Sequence, residues 1–196
     1  MQKPLRVLIA EDEHLILMGI ESILKRLGHS IIAKANDGEE AIELVLEKKP
    51  DLILMDINLP NLDGIEAIKK INQAVVVPAI IISGYHDRKL LEKAKEAGVF
   101  GYLVKPVDER ELKAAIEICI ARFEEFQSLK KDYEHLKDAL EARKYIERAK
   151  GILMDRNNLK EPEAMKALQK KSRDSNRKIV EVAKEIIKAD NILRLN

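Results

Sequence analysis

Four apolar runs before residue 105 each end in polar groups whose chemistry is complementary. Leu5–Ala10 runs into Glu11-Asp12-Glu13, and Leu52–Met55 into Asp56-Ile57-Asn58. Val75–Ile82 ends in Ser83-Gly84, and Phe100–Val104 in Lys105-Pro106. Carboxylates at positions 11, 12 and 56 gathered in one crevice repel one another unless a hard cation joins them. Carboxylates, a main-chain carbonyl and waters are the ligands Mg²⁺ takes. Beside such an ion Asp56 is a candidate nucleophile for in-line attack on phosphorus, and it needs no base because a carboxylate is already ionised at neutral pH. Lys105 offers a second cation to a phosphoryl group, and the Ser83 hydroxyl a hydrogen bond to one of its oxygens.

For these groups to meet, the runs must be strands ending at one edge of a sheet. Their length and β-branched content, with a further run at Ser30–Ala33, fit strands buried on both faces. Stretches of helical period lie between them, at about 13–27, 37–48, 63–73 and 86–97. The rhythm is (βα)5, an α/β doubly wound parallel sheet whose functional groups collect at the carboxyl ends of its strands.

The segments Val7-Leu-Ile-Ala-Glu-Asp-Glu13, Leu52-Ile-Leu-Met-Asp-Ile-Asn-Leu-Pro60, Asp63-Gly64, Ile82-Ser83 and Tyr102-Leu-Val-Lys-Pro106 resemble the receiver domains of bacterial two-component response regulators. The resemblance spans about residues 4–122. It implies a sensor histidine kinase as phosphodonor, Mg²⁺ as cofactor and Asp56 as the phosphorylated residue. Glu11 and Asp12 become the acidic pair, with Asp12, Asp56 and the Asn58 carbonyl as direct metal ligands. Ser83 and Tyr102 become a switch pair that reshapes the face of the fourth helix, fifth strand and fifth helix. Catalysis is confined to self-phosphorylation and self-dephosphorylation. Glu11 and Ser83 depart from the commonest residues at their positions, but each keeps the required oxygen. The histidines (His14, His29, His86, His135) show no ligand spacing.

After residue 108 no strand candidate remains. Asp108 and Glu111 have capping-box spacing for a helix that continues without Gly or Pro to about Ala149. Its apolar residues Ile116, Cys119, Phe123 and Phe126, then Leu129, Tyr133, Leu136 and Leu140, form a heptad-like seam with one three-residue slip. The seam predicts a parallel homodimer. Further helices are expected over 141–155, from near Leu159 with Pro162 in the first turn, and over about Asp174–Ala189. Ile146, Ala149, Ile152, Leu153, Ala164, Leu168, Ile179, Val182, Ala183 and Ile186 are their inward positions, so a small three-helix bundle follows the helical stalk.

Charge separates the two parts. Residues 1–120 carry 16 Lys/Arg against 20 Asp/Glu, whereas residues 137–196 carry 16 against 10. A basic helical bundle suits a polyanion. Ala139-Leu-Glu-Ala-Arg-Lys-Tyr-Ile-Glu-Arg-Ala-Lys-Gly-Ile-Leu-Met154, with Glu161–Leu168 and Ile179–Ala183, resembles the ANTAR domain, an RNA-binding antitermination module. This implies binding to stem-loop RNA in nascent transcripts, with Arg143, Lys150, Gly151, Arg156 and Arg173 as candidate contacts. Small residues at 149 and 151 also suit close helix approach. Met165 and Ser172 depart from the commoner aromatic and Ala. A DNA-binding regulator and a protein-interaction adaptor are the competing readings.

The expected organisation is a receiver at 1–122, a coiled-coil linker at 123–138 and an ANTAR-like domain at 139–196. A single cysteine excludes an intramolecular disulfide and fits a reducing compartment. No apolar run is long enough to span a bilayer and no signal-peptide pattern opens the chain, so a soluble cytoplasmic protein with no membrane partner is expected.

Overall fold

The computed structural model describes residues 3–84 and 88–193, and the chain folds as two compact units, 1–127 and 128–196. The first unit alternates β1 (Arg6–Ala10), α1 (His14–Arg26), β2 (Ser30–Ala35), α2 (Gly38–Lys48), β3 (Leu52–Asp56), α3 (Gly64–Ala74), β4 (Ala79–Ser83), α4 (Arg88–Glu96) and β5 (Gly101–Val104). The strands are all parallel, in the order β2-β1-β3-β4-β5. Side chains alternate between faces with a period of two. Leu8, Ile53, Met55 and Ile81 therefore pack under α2 and α3, while Val7, Ile9, Leu54 and Ile80 pack under α1 and the start of α5 (Glu109–Asn157). Both faces are covered, which is why the strands read as unbroken apolar runs.

Local signals set the boundaries. Asp37 caps α2 by accepting from the Glu40 N–H, and Asp63 caps α3 by accepting from Ile65 and Glu66. Asp108 accepts from the Glu111 N–H at 2.8 Å while Glu111 accepts from the Asp108 N–H at 3.4 Å, the expected capping box of α5. The fourth strand is shorter than its apolar run. Ala79 pairs with Ile53, so Val75, Val76 and Val77 lie beyond the start of β3 with no neighbour to pair with. Helix α4 is described from Arg88; His86, where the sequence starts this helix, lies outside the described residues.

The second unit contains the rest of α5, then α6 (Glu161–Ser175) and α7 (Ile179–Leu193). Ala149, Ile152, Leu168, Val182, Ala183 and Ile187 form its core, with Ile146, Leu153, Ile179 and Ile186 packed against them. The inward positions match those expected, with Ile187 added. No break separates a 109–149 helix from a 141–155 helix; α5 is one element of 49 residues. The last helix starts five residues later than expected, because Asn176 adopts a left-handed conformation and ends α6 there (φ 50°). Among the described residues no helix is long and apolar enough to cross a membrane.

The seam along α5 serves two purposes. Ile116 and Cys119 are buried in the core of the first unit, and Phe123 meets Phe100 edge-on at 5.4 Å between ring centroids. Only from Phe126 onward is the stripe open to solvent, through Leu129, Tyr133, Leu136 and Leu140.

Candidate functional site

Strand order reverses between β1 and β3, and the crevice at their carboxyl ends is where an open α/β sheet presents its chemistry. Glu11 and Asp12 follow β1, Asp56 ends β3, Ser83 ends β4, and Lys105 follows β5. Carboxylate oxygens of Glu11, Asp12 and Asp56 lie within 4.8 Å of one another. Glu11 and Asp56 are buried and Asp12 is exposed, so the cluster is open to solvent on one side. Asp12, Glu13, Asp56, Asn58, Gly84 and Lys105 line one shared cavity.

Lys105 bridges the buried acids, its Nζ standing 2.7 Å from Asp56 Oδ2 and 2.8 Å from Glu11 Oε2. Burial works against the ammonium, but hydrogen bonds to Asp56 and Glu11 outweigh it and raise the Lys105 pKa above the ordinary lysine value. Burial, reinforced by the neighbouring Asp56 charge, pushes the Glu11 carboxyl up despite its bond to Lys105. Asp56 Oδ1 accepts from the Asn58 N–H at 3.2 Å, which leaves Oδ2 with Lys105. Three clustered carboxylates, open on the Asp12 side, are a donor set of hard oxygens that fits Mg²⁺.

Gly64 explains how β3 and α3 come so close. A Cβ there would sit 1.9 Å from the Asp56 carbonyl oxygen, so the helix can approach the acceptor strand only because position 64 has no side chain. The Lys105–Pro106 peptide is cis. Ser83 is fully buried, and its carbonyl accepts from the Lys105 N–H at 2.8 Å. Tyr102 is half-buried beside the α2–α3 side of the core.

His29 is buried with its Nδ1 accepting from the Leu5 N–H at 3.2 Å, a packing role with no metal partner among the described residues. Burial pushes the Cys119 thiol up to about 12, so it is an inert core residue.

In the second unit the candidate residues separate into two kinds. Arg143 and Arg173 are exposed, with no ion pair among the described residues. Lys150, expected as an RNA contact, is buried, and its Nζ lies 2.7 Å from Glu161 and 2.8 Å from Glu147. Arg156 donates from Nε to the buried Asp190 at 2.6 Å. Gly151 is not needed for helix approach, since a Cβ at this position would meet nothing within 4 Å. Sequence reasoning missed the acidic partners because Glu161 and Asp190 lie 11 and 34 residues from the cations they hold.

Known proteins share both parts of this chain. The family model for the response regulator receiver domain matches residues 7–117, and the model for the ANTAR domain matches residues 134–187. The transcriptional regulatory protein PdtaR of Mycobacterium tuberculosis is 40% identical over 184 residues, covering 94% of this chain and 90% of that protein. The receiver domain of a modulated diguanylate cyclase from Desulfovibrio desulfuricans is 33% identical with a TM-score of 0.57, covering 61% of this chain and 96% of that one. A CheY-like receiver protein from Methanospirillum hungatei is 27% identical with a TM-score of 0.58, covering 63% of this chain and 98% of that one.

Proposed function

We propose, for a chain that belongs to the response regulators combining a receiver domain with an ANTAR domain, that phosphorylation of Asp56 controls binding to stem-loop RNA and so transcription antitermination. The reading is carried by one observation: Lys105 Nζ stands 2.7 Å from Asp56 Oδ2 inside a three-carboxylate cluster, on the same chain as the ANTAR match. A carboxylate oxygen of Asp56 attacks the phosphorus of a phosphohistidine on a sensor kinase. The new P–O bond forms as the P–N bond breaks, and the imidazole leaves. The Asp12 and Asp56 carboxylates and the Asn58 carbonyl would hold Mg²⁺, with Glu11 completing the acidic cluster, and the bound ion would supply positive charge for the transferring oxygens. Lys105 then pairs with the phosphoryl group, and the Ser83 hydroxyl donates to it. Tyr102 follows Ser83 inward and alters the α4–β5–α5 face. The exposed stripe from Leu129 to Leu140 pairs two chains as a parallel coiled coil, and each bundle presents its exposed cations, Arg143 and Arg173 among them, to a stem-loop.

Incubating the chain with a small acyl phosphate and Mg²⁺, then measuring intact mass, tests the first half. One phosphoryl group is expected on the wild type and none on Asp56→Asn. Salt-titrated gel shifts with hairpin RNA and duplex DNA test the second half. RNA binding strengthened by phosphorylation supports the reading; preference for duplex DNA, or no nucleic-acid binding, overturns it.

A further inference from the structure

The cations of the second unit are not equivalent. Lys150, Arg156 and Arg177 are each held by carboxylates of the same unit at 2.6–2.8 Å. By contrast, α6 carries Lys166, Lys170 and Arg173, all exposed and in no ion pair among the described residues. Their spacing of four and three places them on one face of the helix, opposite the row of Ala164 and Leu168 that is buried in the bundle. From Ala164 to Arg173 the helix contains no acidic residue. Glu163, at the head of the same row, is engaged in accepting from the Lys160 N–H at 2.8 Å.

A solvated helix face mixes charges of both signs, and the exposed part of α7 does so with Glu181, Lys184, Glu185 and Lys188. The α6 row does not. Complementing the helix dipole accounts for cations in the last turn only, which covers Arg173 and leaves Lys166 and Lys170 unexplained. The three span about 10 Å along the axis, enough to follow consecutive phosphates of one strand.

We propose that Lys166, Lys170 and Arg173 form the phosphate-tracking edge of the RNA site, and that Lys150 and Arg156 hold the bundle together without touching RNA. This rests on the RNA-binding reading above. A neutralised phosphate contact releases counterions and steepens the salt dependence by roughly 0.7 to 0.9 in log–log slope. A cation already neutralised by Glu161 or Asp190 has no such release to contribute.

The test uses the full chain, Mg²⁺ and beryllofluoride, with a hairpin RNA selected on the wild type from a pool having one fixed stem and randomised loops. The combined variant Lys166→Ala, Lys170→Ala, Arg173→Ala should keep its thermal midpoint and lose about two in slope. Lys150→Met should lower the midpoint yet keep the wild-type slope at temperatures where it is folded; Arg156→Gln serves in its place if Lys150→Met does not fold. A wild-type slope in the triple variant overturns the inference, as does an equal loss of slope in Lys150→Met or Arg156→Gln. Should the wild type select no hairpin at all, the RNA-binding reading itself fails, an outcome distinct from either.

Discussion

Glycine and histidine, neither of them chemically active here, give the sharpest single-residue tests. A methyl group at position 64 meets the Asp56 carbonyl at 1.9 Å, so Gly64→Ala must push α3 off β3 and should destabilise the first unit by about 3 kcal/mol. Gly151 is a mid-helix glycine with open space around it. Gly151→Ala should therefore stabilise the second unit by about 0.5–1 kcal/mol, since glycine is the poorer helix former. Hydrogen exchange read peptide by peptide separates the units and checks both signs; a neutral Gly64→Ala or a destabilising Gly151→Ala contradicts the packing described. His29 adds a pH dependence. Burial lowers its pKa from the ordinary 6.5, and its Nδ1 must stay unprotonated to accept from Leu5. As pH falls, the unfolded chain takes up this proton before the folded one does, so the stabilisation is present above the unfolded pKa and is lost on acidification towards the folded value. The urea midpoint followed by circular dichroism should fall as the pH drops below about 6.5, and fall less in His29→Gln, where that proton is gone. An equal drop in both proteins would remove His29 from the account.

At the scale of elements, what the sequence disclosed depended on how local the cause was. Alternating burial made the strands legible, and caps at Asp37, Asp63 and Asp108 marked helix starts. The sequence extends β4 over Val75–Val77 because that segment is as apolar as a strand, and only the register with β3 shows that no strand residue pairs with it. The acceptor cluster was legible because the parallel topology brings strand ends together whatever the details. The pairing of Lys150 with Glu161 and of Arg156 with Asp190 was not, since long-range ion pairs leave no periodic trace. Helix α5 shows the same contrast within one element. Its three-residue slip between Phe126 and Leu129 falls at the border of the two compact units, 127/128. Before the slip Ile116 and Cys119 are buried in the first unit and Phe123 and Phe126 pack edge-on against Phe100, whereas after it Leu136 is 71% exposed. A change of phase in the repeat thus marks a change in what covers the stripe. Leu136→Lys should leave thermal stability within about 0.5 kcal/mol of the wild type, as an exposed substitution does. If the stripe is a dimer seam, the same change should move the phosphorylated chain towards the monomer in sedimentation. A large loss of stability at monomeric concentration would show instead that the stripe packs within its own chain.

For the whole molecule the chemistry at Asp56 and the cations of the bundle belong to separate compact units, and α5 is the element both units share. If occupancy of Asp56 strengthens RNA binding, thermodynamic linkage requires RNA to strengthen occupancy by the same factor. Beryllofluoride is a suitable ligand for this test because its binding is an equilibrium, whereas phosphoryl transfer is not. With Mg²⁺ saturating, its affinity should rise about 5- to 150-fold when the selected hairpin is present, and hairpin affinity should rise equally when beryllofluoride is present. Coupling through pairing of two chains makes a further demand. Leu136→Lys should bring both factors close to one while leaving beryllofluoride affinity without RNA unchanged, because Leu136 lies outside the acceptor site. Coupling that survives intact in Leu136→Lys would mean that the signal passes along a single chain without dimerisation. Two unequal factors in the wild type would show that the ligands do not act through one shared equilibrium.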